Sequence, residues 1–174
     1  NEESYKAGRN AVLGGIDFLN QDPDRLLEMR LNFYLRGLNK TEDPKAENEL
    51  VGPNGEIVGR VKNGRPKFFP DYYVIPMSLD KDNDAQEAFN MIDYFKRNGV
   101  LVKELKEDIG NYKKGDLVID MAQAKRGYAN HILYKGSNES AWAAMYAELL
   151  VNFPDMRGFK SEPVFADGLF NGKL

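Results

Sequence analysis

Apolar residues recur at helical spacing through the first forty positions. Tyr5, Val12, Ile16 and Leu19 share a face, with Ala11 beside it, which predicts an amphipathic helix over residues 2–20. Gly8, Gly14 and Gly15 each weaken that helix by roughly 1 kcal/mol relative to alanine, so it is expected to pack closely against a partner. Asp22-Pro23 then supplies an N-cap followed by proline at the first helical position. Leu27, Leu31, Tyr34 and Leu38 form the stripe of a second helix, with Gly37 near its end.

The helical period stops in "NKTEDPKAENELVGPNGEIVGRVKNGRPKFFPDY", which is rich in proline and glycine. Asn54-Gly55 and Asn63-Gly64 bracket "EIVGRV", the signature of a short hairpin strand. The segment is long for an internal loop and marks a boundary. The chain therefore divides into a helical segment (1–40), an irregular bridge with a hairpin (41–70) and an α/β unit (71–174).

That last unit alternates regularly. "YYVIPM", "VLVKEL" and "DLVIDM" read as strands. "DNDAQEAFNMIDYFKRNG" reads as a helix with Ala85, Ala88, Phe89, Ile92 and Phe95 inward and Asn98-Gly99 as its stop. "QAKRGYANHILY" and "SAWAAMYAELLVNF" read as further helices, the last with Trp142, Met145, Tyr146, Leu149, Leu150 and Phe153 inward. The alternation predicts a three-layer α/β fold with a mostly parallel sheet flanked by helices, preceded by the helical segment. The tail from Gly158 carries no period that assigns it.

Composition narrows the function. Among 174 residues the formal charge is −3, which gives no electrostatic reason to expect nucleic acid. No apolar run reaches the ~20 residues of a membrane helix, and no signal peptide stands at Asn1. The chain opens within a helical pattern rather than on methionine, as a piece of a longer polypeptide would. Zero cysteines remove disulfides, thiolate metal sites and a cysteine nucleophile. With one histidine as well, a catalytic zinc site inside the chain is not expected, and no cofactor motif (P-loop or G-x-G-x-x-G) is present.

Two strand-to-helix junctions hold the candidate chemistry, because open α/β sheets bind ligands at the carboxyl ends of their strands. One follows "YYVIPM" and carries Ser78, Asp80 and Asp82. The other follows "DLVIDM" and carries Gln123, Lys125, Arg126 and Tyr128. If the two strands neighbour each other, both turns line one crevice, where Lys125 and Arg126 could hold a carboxylate or phosphate. The plainer alternative is a solvated first helical turn. "DKDNDAQE" has the alternating aspartates of a calcium loop, but Ala85 and Met91 stand where glycine and a bidentate glutamate are needed. Asp84 and Glu87 instead have the spacing of a capping box. Ser78 and His131 would be the nucleophile and base of a serine-type hydrolase, although nothing like G-x-S-x-G surrounds Ser78. The alternative for His131 is a partly buried position beside Ile132 and Tyr128.

"NEESYKAGRNAVLGGIDFL" resembles the closing helix of the catalytic domain in bacterial zinc carboxypeptidases of the carboxypeptidase A-like family. "YYVIPMSLDKDNDAQEAFNMIDYFKRNGVLVKEL" with "GDLVIDMAQAKRGYANHILY" is similar to the region that follows that domain, a class I glutamine amidotransferase-like fold lacking its catalytic cysteine. The resemblance implies that zinc, held by H-x-x-E and a later histidine, belongs to an upstream peptidase domain, along with the glutamate base. None of those residues can be placed in this chain. It further implies a non-catalytic C-terminal accessory region, extracellular or at the cell surface. Its partners would be the upstream peptidase domain and a peptide or cell-wall ligand. The rivals are a self-contained serine-type hydrolase using Ser78 and His131, and a small-anion-binding module centred on Lys125 and Arg126.

Overall fold

The computed structural model describes residues 1–42, 66–78, 83–135 and 153–174. The expected hairpin strand at "EIVGRV", Asp80, Asp82 and the helix over 140–152 lie outside the described residues.

The first two helices form where their sequence signals stand. Helix α1 (Glu2–Gln21) is capped by Asn1, whose side chain accepts from the Ser4 N–H. Helix α2 (Pro23–Leu38) begins at proline, with the Asp22 carboxylate accepting from the Arg25 N–H at 3.0 Å. Its end is a Schellman motif: the Thr41 N–H donates to the Arg36 carbonyl and the Lys40 N–H to the Gly37 carbonyl. The left-handed position that closes this motif is normally glycine, yet here Lys40 occupies it at φ 50°.

Strand β1 (Tyr72–Ile75) leads into α3 (Ala85–Arg97). Asp84 caps α3 by accepting from the Gln86 and Glu87 N–H groups. The box stays half-made, since the Asp84 N–H donates to the Gly158 carbonyl and Glu87 accepts from Arg157. The buried face of α3 is Ala88, Met91, Ile92 and Phe95. Phe89, expected inside, is exposed. Strands β2 (Lys103–Glu104) and β3 (Leu117–Asp120), helices α4 (Arg126–Leu133) and α5 (Phe153–Arg157), and strand β4 (Glu162–Val164) complete the described elements.

The sheet corrects the expected fold class. Its four strands run in the order β2-β3-β1-β4, and every neighbouring pair is antiparallel, so this is not a three-layer, mostly parallel sheet. With it goes the expectation of an amidotransferase-like layout. Because β1 and β2 both run opposite to β3, they run the same way as each other. The helical crossover through α3 therefore does return the chain in its original direction, but β3 is inserted between the two strands. The unassigned tail supplies β4, which pairs with β1 through Tyr72↔Val164 and Val74↔Glu162.

The alternation of strands with helices predicted a mostly parallel sheet, whose two faces helices would cover. Both are covered, by different material. Tyr73, Ile75, Ile119 and Met121 pack under α3 and α4 with Ala88, Phe95, Ala129 and Leu133. Tyr72, Val74 and Val118 on the opposite face pack against Leu105, Val164 and Phe170, flanked by Ile109, Tyr112 and Leu174. Loop and C-terminal tail thus take the place of a third layer.

Candidate functional site

Antiparallel pairing dissolves the expected crevice. Ile75 sits opposite Leu117 and Tyr72 opposite Asp120, so β1 ends where β3 begins. Ser78 consequently lies at one end of the sheet, beside the Asp116 carboxylate that accepts from the Met77 N–H, and the Gln123–Arg126 turn lies at the other. The Ser78 side chain is exposed, while its carbonyl accepts from buried Asn83. Asn83 also donates to the Pro76 carbonyl and accepts from the Lys160 N–H, which fixes this turn against the tail. His131 stands on the solvent side of α4 between buried Asn130 and Ile132, not half-buried as expected. No contact joins it to Ser78 among the described residues. His, Cys, Asp and Glu side chains in groups of three that could hold a metal are absent among the described residues.

The 123–127 turn receives α2. Gln123, only 2% exposed, accepts from the Leu101 N–H at 2.9 Å and donates to the carbonyls of Asp120 at 2.6 Å and Leu101 at 3.3 Å. These bonds hold the turn's backbone against the approach to β2. Onto that surface comes Gly37, the sole buried residue of α2, where a Cβ would overlap the Gln123 carbonyl oxygen. One turn of helix earlier, the Phe33 ring packs against Gly127, where an added Cβ would stand 3.1 Å from the ring.

The two cations singled out in the sequence complete this joint. Arg126 is buried; its guanidinium donates to the Thr41 carbonyl at 2.6 Å, lies 3.8 Å from the Glu42 carboxylate and stacks 4.2 Å over the Phe69 ring. A desolvated cation–π contact of this kind contributes about 2 kcal/mol. The Lys125 ammonium sits 5.4 Å over the Tyr34 ring of α2. Arg126 therefore closes the C-terminal end of α2 onto the sheet unit, and Lys125 lies along its side.

A second set of contacts went unread in the sequence. The Lys40 ammonium, just beyond α2, donates to Asp167 at 2.6 Å and lies 3.6 Å from Asp71 and 5.2 Å over the Tyr72 ring. Asp71 is 3% exposed and also pairs with Lys67 at 2.7 Å. Burial works to lower the Lys40 pKa, but the hydrogen bond and charge of Asp167 and the charge of Asp71 outweigh it and raise it above the ordinary lysine value. Asp167 is correspondingly depressed, first by the hydrogen bond from Lys40 and then by its charge. In the sequence, Gly37 near the end of α2, Lys125 and Arg126 stood out, but Lys40 did not.

Beyond the joint the side chains of the two helices are largely exposed. No residue of α1 is buried, and Tyr5 and Phe18 are each 69% exposed. On α2, Leu27, Met29 and Leu31 are exposed too. The elbow at Asp22 encloses a cleft of about 300 Å³ lined by Phe18, Gln21, Asp22, Arg25, Leu26 and Met29. None of Gly8, Gly14 and Gly15 has an atom within 4 Å of where a Cβ would be. Among the described residues no helix is long and apolar enough to cross a membrane. No protein family, curated protein or solved structure matches this chain.

Proposed function

We propose that this chain is a non-catalytic accessory module of a zinc carboxypeptidase-like protein, and that α1 and α2 form an arm seating it on the upstream peptidase domain. One observation carries the reading: thirteen large apolar side chains of the two helices are exposed. Summed over both helices they expose on the order of 1,000 Å² of apolar side-chain surface. An arm held firmly at its C-terminal end and bare along the rest is suited to docking, and three glycines in open space allow close approach of another backbone. The chemistry expected of Lys125, Arg126 and Gln123 is occupied in holding that arm, which favours docking over anion binding. In this reading zinc and the catalytic glutamate belong to the partner domain, and the whole acts outside the cell or at its surface.

The test is association of this chain with a separately produced upstream domain, followed by light scattering or calorimetry. A one-to-one complex is expected, weakened at least ~10-fold by Val12→Glu and Leu27→Glu, since a central apolar contact typically contributes more than 1 kcal/mol. Absence of a complex, or one indifferent to both substitutions, removes the reading.

A further inference from the structure

Helices α3 and α5 leave a cleft of about 260 Å³ lined by Asn90, Met91, Tyr94, Arg97, Phe153 and Arg157. None of these six residues belongs to the arm's joint. Asn90, Tyr94 and Arg97 recur along one face of α3, while Phe153 and Arg157 stand one turn apart on α5. Buried Met91 and half-buried Phe153 make the apolar part of the lining, and both belong to the core packing under the sheet.

The polar part of the lining is rich in donors. The Tyr128 hydroxyl donates to the Tyr94 oxygen at 2.6 Å, the two rings being stacked with centroids 6.3 Å apart. Among the described residues the Tyr94 hydroxyl hydrogen then has no acceptor, and it is free to donate. Burial, and next the bond to Tyr94, push the Tyr128 pKa up to about 12, so it stays a neutral donor at physiological pH. Arg97 pairs with Asp93 at 3.2 Å and Arg157 with Glu87 at 3.0 Å. Such exposed pairs contribute little, and a guanidinium has five N–H donors, so each arginine retains N–H groups for a ligand.

We propose that this cleft binds a small monocarboxylate carrying a compact apolar group. The carboxylate lies between Arg97 and Arg157 with the Tyr94 hydroxyl as a further donor, and the apolar group rests on half-buried Phe153. Asp93 and Glu87 already offset the two cations, so a doubly charged anion gains little over a singly charged one. A wholly polar ligand would leave the exposed part of Phe153 unmatched. The volume falls just below the range of about 300–1,000 Å³ usual for small-molecule pockets, which suits one ring and a carboxylate rather than a nucleotide.

The experiment is an NMR titration of the full chain with phenylacetate, and with neutral phenylacetamide as its isosteric control. Saturable shifts at the amides of Asn90, Tyr94, Arg97 and Arg157 are expected, with phenylacetamide binding about tenfold more weakly for want of the charged acceptor. Arg157→Gln should weaken phenylacetate by about tenfold and Tyr94→Phe by a few-fold. If Arg157→Gln disturbs α5, Arg97→Gln reads the same contact from α3. Equal responses to the two compounds, no saturable response, or binding that survives the arginine substitutions overturns the proposal.

Discussion

Lys40 and Asp167, 127 residues apart in the chain, meet at 2.6 Å and fasten the end of α2 to the C-terminal tail. Asp167 has a folded-state pKa below its ordinary 3.8, so its contribution to stability is present above that value and is lost as pH falls through the lowered one. Lys40 is raised above 10.5, so its contribution is present below that value and is lost only as pH rises through the higher one. The latch is thus closed across neutral pH and opens in acid. Asp167→Asn should lower Tm by roughly 2 °C at pH 7, in keeping with a partly exposed ion pair. The two proteins should converge as pH falls below 3.8. A difference in Tm that is constant from pH 7 to pH 2 would sink the assignment.

Gly37 should be intolerant of the mildest change. Alanine is a better helix former by about 1 kcal/mol, so helix propensity alone predicts stabilisation. The overlap of its Cβ with the Gln123 carbonyl oxygen opposes this, because two backbones must move apart. Gly37→Ala should therefore destabilise by about 1–3 kcal/mol, the usual range for overpacking. Urea denaturation decides it, and a stabilised variant would mean that α2 does not seat on the turn.

Gln123 gives a test of polarity at constant shape. Gln123→Glu retains an acceptor for the Leu101 N–H but cannot donate to the Asp120 carbonyl unless protonated. Its deficit of about 1–3 kcal/mol at pH 7 should shrink in mild acid, as the carboxyl regains a proton. Gln123→Leu should lose a similar amount or more, with no such recovery. Parallel pH series of the two variants would expose a merely steric role, in which both curves have the same shape.

The helices were legible because their signals are local. Asp22-Pro23 and Asp84 cap where the sequence places them, whatever else the chain does. Strand direction was not legible, because Val74 and Ile119 look alike in an antiparallel sheet covered on both faces and in a parallel one. The covering material, Phe170 and Tyr112 among it, comes from segments without periodicity. Lys125 and Arg126 drew attention as an anion site because a basic pair after a strand has no visible partner in sequence. Their partners, Tyr34, Thr41 and Phe69, come from elements far along the chain. Lys40 was invisible for a different reason: its left-handed backbone is the signature of glycine, and the ion pair that accompanies it is tertiary.

Gly15 separates the stability of the arm from its use. Nothing lies within 4 Å of a Cβ built there, and the residue sits deep inside α1. Gly15→Ala should stabilise the isolated chain by about 0.5–1 kcal/mol, through helix propensity and a less flexible unfolded state. If α1 docks with its glycines against another backbone, the same methyl group must weaken the proposed complex with an upstream domain. Opposite changes in Tm and affinity are therefore expected, measured on one protein preparation. An increase in Tm with unchanged affinity would place the docking surface on another face of α1, where Leu13 and Phe18 are the next residues to replace.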